Sequence, residues 1–305
     1  MERSSPRRYT AAIPALPHTT VLFQRAGDIP LKVEEGSADL GISGLDRFLE
    51  LRVEGGESVL IVEDLGFGRC ELVIAIPDSW VDVTSMADLA DLSMEMRERG
   101  KELRVATKYP RLVQRHLFRC GVNYFSLVQS SGTLEAAPAM GFADVIADIS
   151  SSGITLRENR LKTLEDGSIL ASQACLIGNK RLLARDQPTL QEAKGLLEHV
   201  EGYLRARDFF SVTANIRGDS PEEVAAHVIE RPELAGLKGP TTTKVYSSGA
   251  DSWYAVTVVV PRDRLFEALE HLRQIGGGSI TVFQPHYVFQ DQCASYQALL
   301  QALDS

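Results

Sequence analysis

The chain has 305 residues, 44% of them hydrophobic, and a net charge of −9, which is enough apolar material for the buried cores of two or three domains. The acidic balance argues against a nucleic-acid backbone as partner, so a protein that binds polyphosphates must gather its basic groups locally. No apolar run approaches the roughly 20 residues of a membrane span. The opening M-E-R-S-S-P-R-R leads into no hydrophobic stretch, so neither a membrane partner nor a secretory signal is expected; a short basic, Ser-containing start is also what the remnant of a transit peptide leaves, and it is too brief to decide.

Residues 9–17, Y-T-A-A-I-P-A-L-P, read as a short strand or hairpin arm closed by prolines. Residues 21–25 (V-L-F-Q-R) read as a buried strand. Asp28 then offers an N-cap, Pro30 suits a first helical turn, and Gly36 ends the helix. Residues 38–44 (A-D-L-G-I-S-G) form a strand ending in a glycine turn, with Asp46 opening another helix. Strands follow near 59–63 and 70–76, the second apolar almost throughout, as a parallel central strand is. Residues 84–102 place apolar positions at helical spacing beside a solvated face. A second cycle begins with a strand at 104–107, a helix over 108–118 and a strand at 124–128. Thr133 then caps a helix over 134–140 that Gly141 stops.

Aligning Gly36 with Gly141 exposes an internal echo: G-S-A-D-L-G-I-S answers G-F-A-D-V-I-A-D. Two α/β lobes facing across a cleft are implied, with strand ends from both lining the ligand site. The first lobe is assigned 1–103 with 179–207, and the second 104–178. The strand–loop–helix of 104–118 has no counterpart in the first lobe, which reads as short of one β-α unit. Residues 168–177 form a strand crossing back to the first lobe, and 189–208 a long amphipathic helix. Beyond it come strand 209–216, a helix capped by Ser220 with Pro221 at its first position, strands 241–247 and 253–260, helix 262–274 and strand 279–284. This β-α-β-β-α-β order is ferredoxin-like and occupies 208–305 together with a last helix near 292–303.

Chemistry concentrates between Glu135 and Leu156. An apolar strand carrying Asp144 and Asp148 empties into a run of hydroxyl residues around Gly153. Exposed N–H groups and short O–H donors suit a phosphate, and carboxylates just upstream suit ribose hydroxyls or Mg²⁺; the alternative is a serine-rich loop after a core strand. Lys108, Arg111 and Arg115 form the local basic cluster. The four cysteines, Cys70, Cys120, Cys175 and Cys293, are scattered without a CxxC pair, as reduced thiols of a cytoplasmic protein are, and no two of the six histidines have metal-ligand spacing.

The spacing Glu135, Gly141, Ala143, Ile146, Asp148, Ile149, Ser152, Gly153, Thr155, Leu156 resembles the phosphoribosyl-diphosphate loop of the ATP phosphoribosyltransferases, the first enzymes of histidine biosynthesis. R-Y-T-A-A-I-P-A-L-P, Q-R-A-G-D-I-P, A-D-L-G-I-S-G, G-R-C-E-L, R-V-A-T-K-Y-P and A-C-L-I resemble the same family in order, and the C-terminal module resembles the histidine-sensing domain of its long form. The resemblance implies a two-lobed, periplasmic-binding-protein-like α/β fold with a ferredoxin-like (ACT-like) regulatory domain. It implies Mg²⁺-dependent transfer of ribose 5-phosphate from phosphoribosyl diphosphate to N1 of ATP, inhibition by histidine, and a homo-oligomer between dimer and hexamer. Ser150, Ser151, Ser152, Gly153, Ile154 and Thr155 would hold the 5-phosphate, with Lys108 and Tyr109 as further phosphate contacts. Asp148, with Glu135 and Asp144 beside it, would hold ribose hydroxyls directly or through the metal ion, for which Asp148 is the named ligand; Glu135 is equally a helix-start acid.

Asp39, Gly41, Ser43 and Gly44 are candidates for the nucleotide side, with Arg69 and Cys70 as neighbours; the two glycines equally serve close packing. Asn215, Thr241, Thr242 and Ser279 are candidate histidine contacts, or ordinary edge and turn residues. Members of the family carry a Gly-Arg loop ahead of the R-Y-T-A segment that this chain lacks. The favoured expectation is a start codon placed too late, and the competing one is an impaired or non-catalytic two-lobed ligand-binding subunit.

Overall fold

The structure is a computed structural model that describes residues 9–14, 16–129, 133–247 and 251–303. It divides into two compact units, Met1–Ala193 with Ala298–Ser305, and Lys194–Gln297. The first unit runs β1 (Thr10–Ile13), β2 (Leu16–Leu22), α1 (Ile29–Glu34), β3 (Leu40–Gly44), α2 (Leu45–Leu51), β4 (Ser58–Val62), β5 (Cys70–Pro77), α3 (Met86–Glu98), β6 (Leu103–Thr107), α4 (Pro110–Arg119), β7 (Phe125–Gln129), β8 (Val145–Ser150), α5 (Ile154–Glu158), β9 (Leu161–Ser172), β10 (Ala174–Asn179) and α6 (Lys180–Leu183). The helix α7 (Gln187–Ala206) then carries the chain onward. Among the described residues no helix is long and apolar enough to cross a membrane.

Two sheets organise this unit. The larger has the order β7-β6-β8-β5-β9, and the smaller β3-β10-β4. In β5, Leu72, Ile74 and Ile76 face α3 and α4, while Val73 and Ala75 pack on the opposite side with Leu134, Ala137 and Leu156, so both faces are buried from Leu72 to Ile76 and those five positions are apolar. Around the smaller sheet, Val33, Leu45, Phe48, Cys175 and Ile177 form a separate core. Only Gln173 separates β9 from β10, so one nearly continuous segment supplies a strand to each sheet, as expected for residues 168–177. This is the two-lobed periplasmic-binding-protein-like plan.

Several local expectations change. The strand at 70–77 is central but antiparallel to both neighbours, β8 and β9. It lies in the larger sheet, with α3 packed over it, so the sheets do not divide the chain at residue 103. An apolar run reports burial on two faces and carries no information about strand direction. Residues 21–25 do not form a buried strand; β2 ends at Leu22, which is exposed, and among the described residues it pairs only with β1. The segment 134–141 is a run of turns, because Pro138 in its middle has no N–H to donate. The echo nevertheless holds at its glycines: Gly36 and Gly141 have φ of 79° and 73°. β3 corresponds to β8 in that echo. β8 is flanked by β6 and β5, whereas β3 pairs only with β10 among the described residues.

The second unit contains β11 (Phe209–Arg217), α8 (Pro221–Ile229), β12 (Thr241–Val245), β13 (Trp253–Pro261), α9 (Leu265–Gln274), β14 (Gly278–Phe283) and the start of α10 (Ala294–Leu303). Its antiparallel sheet has the order β12-β13-β11-β14, the ferredoxin-like arrangement. Ser220 caps α8 as expected, accepting the Glu223 N–H at 3.1 Å. Val212, Ala214, Ile216, Val256, Val258 and Val260 turn to the helices α8 and α9. The opposite face carries a cross-strand row of Thr241, Thr257, Thr213 and Thr281.

Candidate functional site

One end of the larger sheet gathers the C-termini of β6, β8 and β9 with the N-terminus of β5: Glu71 pairs with Ser150 and Cys70 with Ser172. β3 of the smaller sheet ends beside the same crossover, where the Leu45 N–H donates to the Gln173 carbonyl at 2.9 Å. Strand ends from both sheets therefore converge on residues 172–174.

Asp148 and Lys108 form the centre. Asp148 is near the end of β8 with 14% of its side chain exposed, and its Oδ2 is 3.9 Å from Lys108 Nζ. Its Oδ1 accepts the Ile149 N–H at 2.9 Å. Burial raises its pKa, with the Glu135 charge adding to the rise, while the Ile149 N–H and the charges of Lys108 and Arg47 oppose it. Glu135, half-buried, is thus within electrostatic reach of Asp148.

Beyond Asp148 the chain turns through Ser150–Thr155. Gly153 adopts φ 68° at the start of α5, a left-handed conformation that glycine takes without steric cost. Its N–H donates to Ser150 Oγ at 3.1 Å, and Ser151, Ser152, Ile154 and Thr155 are exposed. The Ile154 N–H points to Ser152 Oγ at 3.5 Å, so the loop is partly bonded to itself, and its exposed hydroxyls are what it presents to an anion.

The other expected residues divide. Asp144 precedes β8 at the opposite end of the sheet, about 13 Å from Asp148 at strand rise, and its carboxylate is clasped by Arg104 Nη2 at 2.9 Å and Nε at 3.1 Å. Burial would raise its pKa, but the Arg104 hydrogen bonds and charge hold it below the usual carboxylate range. The acid has a structural partner there and does not join Asp148. Asp39 precedes β3 in the corresponding place and is exposed. Gly41 serves packing: a Cβ would lie 2.6 Å from Ile29 Cγ2 and 2.8 Å from Val33 Cγ2. Ser43 is buried and donates to the Ala26 carbonyl at 2.8 Å. Gly44 leaves room for the Asp46 carboxylate, which a Cβ would strike. Arg69 is exposed and pairs with Asp64 at 3.2 Å. Cys70 lies beside Ser172; burial and then the Asp46 charge raise its thiol pKa, the reverse of a nucleophile.

Tyr109 does not face the loop. It is buried, and its hydroxyl donates to Asp46 Oδ2 at 2.7 Å. Burial and Asp46 push the phenol pKa far upward, so it remains a donor. Arg111 is also committed, with its Nη1 donating to the carbonyls of Glu50 at 3.0 Å and Arg52 at 2.6 Å. Of the basic cluster, Lys108 alone is placed on Asp148. Sequence reasoning missed Arg47, which lies within electrostatic reach of Asp148 and over the Tyr109 ring at 4.3 Å. Its signal was the buried helix that carries it, L-D-R-F-L-E-L, with two acids four residues apart.

In the second unit, Asn215 lies on the open sheet face opposite Gly278, where β11 and β14 lose register and Ser279 takes φ 49°. Thr241 shares that face, whereas Thr242, paired with Val256, turns toward the helices. The structure brings Asn215 and Ser279 together and separates Thr242 from them.

The family model for ATP phosphoribosyltransferase (HisG) matches residues 25–202, and the model for the HisG C-terminal domain matches residues 206–286. The chain belongs to the ATP phosphoribosyltransferase family. It is 40% identical over 309 residues to ATP phosphoribosyltransferase 1, chloroplastic, of Arabidopsis thaliana, covering 99% of this chain and 75% of that one. It is 45% identical over 188 residues to the ATP phosphoribosyltransferase of Brucella anthropi, covering 61% of this chain and 80% of that one. Among solved structures it is similar to the ATP phosphoribosyl transferase (HisG:HisZ) complex from Thermotoga maritima, with a TM-score of 0.49 and 24% identity over 65% of this chain and 84% of that chain. As a member of this family it is a transferase of histidine biosynthesis, in the long form that carries the C-terminal domain.

Proposed function

We propose that this chain transfers the 5-phosphoribosyl group of phosphoribosyl diphosphate to N1 of ATP, giving phosphoribosyl-ATP and diphosphate. The observation that carries this reading is the open hydroxyl loop Ser150–Thr155, turned by a left-handed Gly153 and set directly after a half-buried Asp148 that faces Lys108. The loop holds the 5-phosphate, and Asp148 with Glu135 orients the ribose hydroxyls. Lys108 offsets charge on the departing diphosphate. The transition state is oxocarbenium-like with an anionic leaving group, so positioning and charge stabilisation are what the protein must supply. No covalent nucleophile is needed, in keeping with the raised pKa of Cys70.

The donor set suits Mg²⁺. Asp148 and Glu135 supply carboxylate oxygens, and among the described residues no three His, Cys, Asp or Glu side chains gather into a metal cage. Mg²⁺ is ordinarily held by one or two carboxylates together with substrate phosphates. When bound, the ion would neutralise the diphosphate and ease its departure. Asp144 has no part in this, because Arg104 occupies its carboxylate.

For the second unit, the same reading assigns histidine inhibition and a homo-oligomer between dimer and hexamer, with Asn215 and Ser279 as the candidate contacts. A second reading, a ligand-binding subunit without turnover, is favoured by β3, which among the described residues has a strand partner on one edge only. One assay separates them: incubate the chain with ATP, phosphoribosyl diphosphate and Mg²⁺ and follow the phosphoribosyl-ATP chromophore. Product that falls on adding histidine supports the enzyme. Binding of phosphoribosyl diphosphate without product supports the non-catalytic subunit.

A further inference from the structure

α2 sends two acidic side chains, one helical turn apart, into the elements of the larger sheet. Asp46 is 6% exposed; its Oδ1 accepts from Ser172 Oγ at 2.7 Å and its Oδ2 from the Tyr109 hydroxyl at 2.7 Å. Ser172 Oγ in turn accepts the Asp46 N–H at 3.0 Å. Glu50 is 4% exposed, and its carboxylate accepts the Arg111 and Leu112 N–H groups, each at 3.0 Å. It therefore satisfies the first free donors of α4, where a negative charge is favoured. Between the two acids, Arg47 donates to the Lys108 carbonyl at 3.3 Å and covers the Tyr109 ring.

The segment from Lys108 to Leu112 is thus gripped at four of its five residues by a single helix belonging to the other sheet. Buried carboxylates without these donors would be costly, so the partners fix one another. Lys108 Nζ, at the head of that segment, is the cation on Asp148.

We infer that Asp46 is a positioning residue: through Tyr109 it sets the backbone that aims Lys108 at the diphosphate, so that α2 aligns a cation carried by the other lobe. This rests on the function proposed above. It differs from plain interlobe packing, which would stabilise the fold without favouring any one side chain of the site.

The test is a cycle of Asp46→Asn and Lys108→Ala, with Tyr109→Phe as a second, milder route to the same contact. Asp46→Asn is isosteric and is expected to raise KM for phosphoribosyl diphosphate about tenfold, the scale of one charge-assisted hydrogen bond, with KM for ATP little changed. In the Lys108→Ala background the same substitution is expected to add nothing. An equal loss in both backgrounds overturns the inference, and Tyr109→Phe is read in the same way if Asp46→Asn does not fold. A readout free of substrate separates this from the proposed function. Lysines of the full chain are reductively methylated with ¹³C-formaldehyde, and the Lys108 resonance is assigned by its absence from Lys108→Arg. That resonance is expected to shift in Asp46→Asn and Tyr109→Phe, and an unmoved resonance overturns the inference. A wild-type chain that binds no phosphoribosyl diphosphate, with a resonance that still shifts, overturns the proposed function and leaves the alignment by α2 supported.

Discussion

At the scale of single residues, the strand β8 region carries two aspartates whose environments act in opposite directions. Burial raises the pKa of Asp148, so the folded chain holds its ionised form at a disadvantage. Asp148→Asn is therefore expected to raise the melting temperature of the first unit at pH 7. That gain shrinks as the pH falls through the raised pKa of the folded chain and is gone below the ordinary carboxylate pKa, where Asp148 is neutral in both folded and unfolded chains. Binding of phosphoribosyl diphosphate should be lost in the same variant, the usual exchange of function for stability. Asp144 has the lowered pKa of a paired acid. Its contribution is present above the ordinary carboxylate pKa and is lost as the pH falls through its own. Asp144→Asn should accordingly melt lower at pH 7, and the difference from wild type should close in acid. Thermal melts of the two variants across pH 3–8 check both signs. The sequence alone does not separate these residues, because both are acids on one apolar strand; what separates them is Arg104, a register partner distant in the chain.

At the scale of elements, α2 shows why composition misleads. Three of its seven residues, L-D-R-F-L-E-L, are charged, yet Asp46 and Glu50 are among its buried residues together with Leu45 and Phe48. Removing the Glu50 carboxylate leaves one buried and one part-buried N–H group of α4 without this partner, so Glu50→Ala should cost about 1–3 kcal/mol, read by denaturant unfolding. Glu50→Gln, which keeps one acceptor oxygen, should cost less. Gly41 belongs to the same lobe and is constrained by space alone. Gly41→Ala should cost about 1–3 kcal/mol as α1 is forced off β3, with the same measurement deciding. The elements that were legible from sequence are those with one dominant signal: the N-cap of α8, the strand β13, the glycine stop at 36. Those that were not depend on partners remote in the chain. The direction of β5, the turns at 134–141 and the burial of Asp46 are settled by pairing, by one proline and by a helix contact, and none of these leaves a periodic trace.

At the scale of the whole molecule, the sheets differ in completeness as well as size. β3 has one free edge among the described residues and exposes Ile42 at 49%. An uncovered edge with an apolar side chain invites pairing between chains. Ile42→Lys should lower the light scattering that builds up on mild heating, and unchanged scattering would place the association elsewhere. The crossover at Gln173 has a further effect, on the time order of folding. The central strand of the smaller sheet, β10, joins β3 and β4 from a point in the chain more than a hundred residues later. At a synthesis rate of roughly 5–20 residues per second, β3 and β4 emerge from the ribosome several seconds before the strand that unites them. During that interval α1, α2 and both outer strands have no sheet to cover, and contacts of this sequence separation form slowly. The larger sheet, whose strands β5, β6, β7 and β8 are all made by residue 150, can assemble first. Nascent chains halted on either side of residue 180 should therefore differ sharply in the protease resistance of residues 29–62, while the strands of the larger sheet change far less.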